Sequence, residues 1–152
     1  MSRKKCRRKV WALVDPIQHA IQGASITTQE DLNKLREREQ RSIEAFRTGK
    51  ATKRDWQNVV DFLNLAETMA KRGIGPEVLP ACKEAQVALI DAATRYEKTG
   101  RMGMTGPGLH AISELFEWHD LQRTSISRGE YEKHIQTTIN RIRSRSAEVI
   151  EL

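Results

Sequence analysis

The chain has 152 residues, a length typical of one domain, and a globule of this size buries about 70% of its unfolded surface. Its 38% hydrophobic and 30% charged residues are typical of a water-soluble, helix-rich protein and argue against a disordered chain. The chain carries 26 Lys and Arg against 20 Asp and Glu, a net charge of +6, so we expect an acidic partner.

The excess positive charge lies entirely at the N-terminus. Residues 1–9 form a basic arm without any acid, and its cations are Arg3, Lys4, Lys5, Arg7, Arg8 and Lys9. Residues 10–152 are therefore formally neutral. Such an arm attracts polyanions, either nucleic acid or the acidic surface of a protein. The alternative interpretation is a disordered leader that only improves solubility.

Cysteine usage and hydropathy indicate the cytoplasm. Cys6 and Cys82 are too few for a disulfide framework or a zinc site and suit a reducing compartment. The apolar run 10–14 is interrupted by Asp15-Pro16 and is shorter than an export signal requires. No run approaches the roughly 18 apolar residues of a membrane span, so we expect no membrane association.

Helix capping and glycine stops predict six helices, at about residues 15–22, 28–47, 52–72, 76–98, 109–122 and 127–145. The second has a narrow apolar stripe and is predicted to be peripheral. The third, capped by Thr52 with Asp55, is apolar over much of its circumference and contains Trp56. It is therefore the predicted central helix of the core.

No stretch alternates apolar and polar residues as a half-buried strand does. The predicted fold class is therefore an all-α, single-domain bundle of five to six helices with a basic N-terminal arm. The predicted organisation is an arm at 1–9, a helical domain at 10–147 and a short C-terminal tail at 148–152. The sequence carries no signal for an oligomeric state.

Residues 100–108, Gly-Arg-Met-Gly-Met-Thr-Gly-Pro-Gly, are predicted to form a flexible loop. Gly103 and Gly108 have the spacing of a phosphate-binding loop, but Leu109 and His110 follow where Lys and Ser or Thr are required. No strand precedes the loop either. The sequence therefore favours a plain connection between helices over a phosphate site.

No catalytic motif emerges from the sequence. His110, Glu114 and Glu117 share one helix face at a spacing that suits metal ligands, but an ordinary solvated face has the same spacing. His119 falls on an apolar stripe and is predicted to be a core histidine. No nucleophile and base can be paired. We therefore predict a protein that is not an enzyme, without catalytic residues, a metal or a cofactor.

The last predicted helix is basic. From residue 133 to 145 it carries no acid, and its cations are Lys133, Arg141, Arg143 and Arg145. Arg141 and Arg145 share a face that, together with the arm, would form one electropositive surface for phosphates. The alternative is a solvated helix whose cations complement the negative end of the helix dipole.

Trp11 and Trp118 are candidate contacts to a partner, because Trp11 follows the arm and Trp118 is offset from the apolar stripe of its helix. Residues 117–136 are spaced as a helix-turn-helix, but they place Asp120 and His134 at normally apolar positions. An ordinary helical hairpin therefore fits these residues better.

Several segments carry a resemblance to a known group: 15–17 (Asp-Pro-Ile), 23–24 (Gly-Ala), 44–49 (Glu-Ala-Phe-Arg-Thr-Gly), 55–56 (Asp-Trp), 65–67 (Leu-Ala-Glu), 73–75 (Gly-Ile-Gly) and 119–122 (His-Asp-Leu-Gln). In these segments the chain resembles uncharacterised short helical proteins encoded by phages and prophages of proteobacteria. The resemblance implies the cytoplasm of a bacterial host cell and carries no activity with it.

Two functions follow as expectations. The first is a non-enzymatic binding protein that engages nucleic acid or a nucleoprotein complex through the basic arm and the basic C-terminal helix. The second is an inhibitor or adaptor that binds a host enzyme or defence complex, with the arm incidental or placed against an acidic patch. The salt dependence of binding distinguishes the two functions, because phosphate contacts weaken steeply as ionic strength rises.

Overall fold

The computed structural model describes residues 29–144, which form five α-helices and one short 3-10 helix. The α-helices are α1 (Gln29–Arg47), α2 (Lys53–Lys71), α3 (Leu79–Thr99), α4 (Gly106–Thr124) and α5 (Arg128–Ser144), and the 3-10 helix is Pro76–Val78. Residues 29–144 contain no strand. The predicted all-α, single-domain bundle is confirmed, while the arm, the helix predicted at 15–22 and the C-terminal tail lie outside the described residues.

Helix α2 is the centre of the bundle, as its apolar circumference predicts. It packs against each of the other four α-helices and against the 3-10 helix. A capping box begins it: the Asp55 amide donates to Thr52 Oγ1, and the Thr52 amide donates to Asp55 Oδ2. Trp56 is fully buried, and its indole N–H donates to the Leu89 carbonyl of α3 at 2.9 Å. This hydrogen bond ties the central helix to its neighbour.

Helix α4 begins three residues earlier than predicted. Thr105 is its N-cap and accepts a hydrogen bond from the Gly108 amide at 3.1 Å. Pro107 lies in the first turn, where the missing N–H costs nothing. Residues 106–108 are therefore helix rather than loop. The connection is correspondingly shorter, and it starts at Gly100, whose positive φ ends α3.

Helices α3 and α4 approach closely because small residues line their contact. Helix α3 presents the alanines Ala81, Ala85, Ala88 and Ala92, spaced at four, three and four residues. A Cβ atom on Gly108 of α4 would lie 3.2 Å from the Ala88 Cβ and 2.7 Å from the Met104 Cγ. Glycine at 108 thus permits the close packing of the two helices, and its amide already serves the Thr105 cap.

Replacing Gly108 with alanine is expected to destabilise the fold by about 1–3 kcal/mol, because the added methyl group overpacks this contact. Gly129 provides the matched control, since a Cβ atom built there meets nothing within 4 Å. We expect Gly129→Ala to be neutral or stabilising by up to about 1 kcal/mol. Urea denaturation of both variants measures the difference, and equal effects would contradict the close approach of α3 and α4.

The outer helices differ from prediction in how they pack. Helix α1 is more deeply embedded than its narrow stripe predicts, because Glu39 and Ser42 are buried beside Ile43 and Phe46. Helix α5 packs against α2 rather than lying along α4. The predicted hairpin of the last two helices is therefore wrong. Between residues 29 and 144, no helix has both the length and the apolar character needed to cross a membrane.

Candidate functional site

The outward face of α5 is cationic and rich in amides. A capping box begins this helix, since the Glu130 amide donates to Ser127 Oγ at 3.2 Å. Its inward side is apolar, and the solvent-exposed side chains that follow the first turn are Lys133, Gln136, Asn140, Arg143 and Ser144. This exposed face, from Lys133 to Arg143, has no carboxylate. We call the set Lys133, Gln136, Asn140 and Arg143 the α5 face.

The four side chains of the α5 face recur at intervals of three, four and three residues, so they form one stripe along the helix. Gln136 Nε2 donates to Asn140 Oδ1 at 3.3 Å, which places the two amides side by side. A rise of 1.5 Å per residue separates the end cations by about 15 Å. Two cations thus flank a pair of amides along one edge of the molecule.

Arg141 does not belong to this face, which corrects its predicted role. Its guanidinium turns toward α2, where it donates to Glu67 Oε1 at 2.9 Å and to Thr68 Oγ1. The Arg141 side chain is only 18% exposed. Because its charge is matched by Glu67, Arg141 holds α5 against α2 and is not available for a phosphate.

The other predicted contact residues are placed as follows. Lys133 and Arg143 lie together on the α5 face. Trp118 is on α4, half-buried, and packs against the main core, so it does not join that face. Trp11, Arg145 and the six cations of the arm lie outside the described residues. The structure therefore brings together two of the predicted site residues and adds two amides that the sequence analysis missed.

A buried ion-pair network joins α1 to α4. Arg123 donates two parallel hydrogen bonds to Glu39, at 2.7 and 3.0 Å, and its Nε donates to Asp120 Oδ1 at 2.9 Å. Arg36 completes the network from α1 by donating to the same Asp120 oxygen at 2.7 Å. The side chains of Arg123 and Glu39 are almost wholly buried.

The network favours the charged forms of Arg123 and Asp120. Burial lowers the pKa of Arg123, but Glu39 outweighs that effect and the net pKa is raised. Burial raises the pKa of Asp120, but the hydrogen bonds from Arg36 and Arg123 outweigh it and the net pKa is lowered. Every charge in the network therefore has a partner, which is the condition for holding ions in a protein interior. This arrangement suits a structural role.

His119 is a core histidine, as predicted. Its Nδ1 is 3.0 Å from Gln122 Oε1, and Gln122 Nε2 donates to the carbonyls of Ala66 and Ile74. Because the Gln122 amide nitrogen donates, its oxygen must accept, so the proton of His119 lies on Nδ1. Burial, followed by the charge of Arg123, lowers the pKa of His119 to about 3. The imidazole is therefore neutral at physiological pH.

The remaining chemical candidates form no site within the described part of the chain. His110 Nε2 lies 3.6 Å from Glu114 Oε1, and both side chains are exposed. No group of three or more His, Cys, Asp or Glu side chains among residues 29–144 is placed to hold a metal ion. Burial raises the pKa of Cys82 to about 12, so its thiol is unreactive at neutral pH.

Comparison with known proteins identifies no relative of this chain. No family model, no curated protein and no solved structure matches the chain. The resemblance to phage-encoded proteins therefore stays a prediction, and any function must be argued from the geometry of the residues.

Proposed function

We propose that this protein binds nucleic acid without catalysing a reaction, and that the α5 face orients the nucleic acid while the basic arm supplies further affinity. The observation that carries the proposal is the exposed stripe of Lys133, Gln136, Asn140 and Arg143, which has no carboxylate. We include in the proposal an origin in a phage or other mobile element and a place in the cytoplasm of the bacterial host.

Each residue type of the α5 face suits a part of a nucleic acid. Lys and Arg side chains neutralise phosphates and release condensed counterions. Gln and Asn side chains can form paired hydrogen bonds with the edge of adenine in the major groove. The α5 face has a cation at each end and amides between them. It could therefore contact the phosphates of both DNA strands with its cations while its amides contact the bases between those strands.

The dimensions of α5 agree with this mode of binding. The major groove of B-DNA is about 12 Å wide and admits one α-helix, and the α5 face extends over about 15 Å. Because Arg141 and the apolar residues of α5 hold its other side against α2, the face is presented on a supported helix. Base contacts require such a fixed orientation.

A salt series on a labelled 20-base-pair DNA duplex of mixed sequence tests the proposal. We expect the affinity of the full chain to fall about 10³–10⁵-fold between 50 and 200 mM salt, as for proteins with 6–10 phosphate contacts. The double variant Lys133→Gln, Arg143→Gln should reduce the magnitude of the logarithmic salt slope by about 2, one unit for each lost phosphate contact.

Lys83→Gln is the matched control, because Lys83 is an exposed lysine on α3 rather than on the α5 face. We expect this variant to keep the affinity and the salt slope of the parent chain. If the control lost about half as much as the double variant, in proportion to one removed charge against two, binding would depend on net charge alone. An affinity that does not change with salt concentration would contradict phosphate binding altogether.

The second candidate is an inhibitor or adaptor that binds a host protein. The observation that favours it is Leu121, which is 62% exposed on α4 three residues after the half-buried Trp118. An apolar interface stays bound at high salt, whereas an interface with phosphates dissociates.

Capture of partners from host lysate distinguishes the two functions. The capture is done with and without nuclease, and with chains that contain or lack residues 1–9. If both chains recover the same protein after nuclease treatment, the adaptor function is supported.

A further inference from the structure

Within the described residues, helix α5 packs mainly against α2, and Tyr131 at its start also contacts His119 of α4. Where α5 packs against α2, its apolar side chains form a cluster separate from the main core. The buried members of this cluster are Leu65, Met69, Tyr131, Ile135 and Ile139. The main core, by contrast, combines side chains from α1 to α4. A helix held by one small cluster opens at a lower free energy than helices that share a large core.

Tyr131, at the start of α5, covers a buried titratable group. Its ring lies against the imidazole of His119, with the ring centroids 6.4 Å apart. Phe62 of α2 stacks on the same imidazole at 6.1 Å with an interplanar angle of 11°. His119 is fully buried in this arrangement. Removal of α5 would take Tyr131 off the imidazole and admit water to it.

The surroundings of His119 disfavour a cation while α5 is in place. Its charged neighbours on α4 are Arg123 and Asp120, and Arg123 pairs in turn with Glu39 of α1. Helix α5 places the phenol of Tyr131 against it, and α2 contributes an uncharged ring. Its Nε2, which would take the second proton, is buried without a hydrogen-bond partner among the described residues. An imidazolium therefore has no solvent and no acceptor at that position.

We propose that α5 is a releasable helix whose detachment from α2 is coupled to protonation of His119 at Nε2. With α5 in place the imidazole stays neutral, and after release water solvates the imidazolium. Protons therefore bind the released state more tightly and shift the equilibrium toward it. Release also uncovers the apolar side of α2 that carries Leu65 and Met69. This inference does not depend on nucleic-acid binding.

The direction and size of the pH effect follow from proton linkage. The pKa of His119 is about 3 with α5 docked, and we take its ordinary value of about 6.5 for the released state. Docking is therefore favoured above about pH 6.5 and is weakened progressively as the pH falls toward 3. With these values, the equilibrium constant for release at pH 5 is about 25-fold larger than at pH 7.

Native-state hydrogen exchange of the full chain, resolved by residue, measures this equilibrium. After correction for the intrinsic exchange rates, we expect amides at 135–139 of α5 to be less protected than amides at 85–92 of α3. The release constant from the α5 amides should rise at least about 25-fold from pH 7 to pH 5, since the buried His134 of α5 adds to the effect of His119. Equal protection of both helices, or release that does not change with pH, would overturn the proposal.

Two variants identify the responsible group. His119→Asn retains a donor for Gln122 but cannot titrate, so the pH effect on release should shrink to the contribution of His134, the buried histidine of α5 whose pKa is lowered by burial. His110→Asn is the control, because His110 is an exposed histidine on the same helix, and it should keep the full pH change of the parent chain. A pH effect in His119→Asn as large as that of the parent chain would exclude His119 as the coupled group.

Ile139→Ala keeps the proposal testable if His119→Asn fails to fold, since it weakens the α5 cluster without changing His119. We expect it to raise the α5 release constant at least tenfold at pH 7, the effect of about 1.4 kcal/mol. The exchange of α3 amides through partial opening should not change. If α3 amides become exposed together with those of α5, the two helices open as one unit and the proposal is wrong.

Discussion

The variant Arg123→Met is expected to lose about 3–5 kcal/mol of folding free energy, because it leaves a buried carboxylate without its partner. Arg123 binds Glu39 through two hydrogen bonds, and both side chains are almost wholly buried. Asp120 keeps its contact with Arg36, so the cost falls mainly on Glu39. Urea denaturation at pH 7 measures the loss.

Two controls separate the buried pair from charge in general. Arg95→Met removes a pair of similar length, since Arg95 lies 2.7 Å from Asp91, but both partners are largely exposed. We expect this variant to cost less than about 1 kcal/mol. Replacing Glu39 and Arg123 together by methionine should recover much of the loss, because no buried charge then remains unpaired. If Arg123→Met costs no more than Arg95→Met, the buried pair is not formed.

Trp56→Ala is expected to destabilise the protein by about 3–5 kcal/mol, the range for removing a large aromatic side chain from a core. Trp56 is fully buried in the central helix and contributes to the main cluster. A typical domain is stable by only about 5–15 kcal/mol. The variant should therefore show a marked fall in its urea midpoint, measured by circular dichroism.

Trp56→Phe separates packing from hydrogen bonding. Phenylalanine retains most of the buried apolar surface but cannot donate to the Leu89 carbonyl. We expect a loss of about 1–3 kcal/mol, from a smaller ring and one missing hydrogen bond. A loss equal to that of Trp56→Ala would contradict the importance of packing at this position.

Local signals predict the helices well because capping chemistry is short in range. The Thr52/Asp55 and Ser127/Glu130 pairs each lie three residues apart, and both form the hydrogen bonds that their spacing predicts. The start of α4 is the exception. There the glycines suggest a loop, whereas Thr105 and the proline in the first turn together support a helix.

Contacts between distant helices are not readable in the same way. Glu39 and Arg123 are 84 residues apart, and nothing in their neighbourhood distinguishes them from solvated charges. The same limit explains the error at Arg141, because its partner Glu67 becomes visible only when α5 packs on α2. Such pairs require the tertiary arrangement to be known.

The α5 face has a sequence signal that composition alone does not reveal. Counting cations draws attention to Lys133 and Arg143 but passes over Gln136 and Asn140 between them. The helical spacing of three, four and three residues places all four on one side. A search for exposed amides at helical intervals between cations would have found the complete face.

The most direct test of the account is a residue-resolved NMR titration of the protein with a short DNA duplex. We predict that the backbone amide signals of the four residues of the α5 face and the side-chain amide signals of Gln136 and Asn140 shift or broaden together, while the backbone amide signals of Ala85 and Ala92 on α3 stay unchanged. Saturable changes centred on Leu121 and Trp118 instead, or no change at any signal of α5, would contradict the proposal that the outward face of this helix contacts nucleic acid.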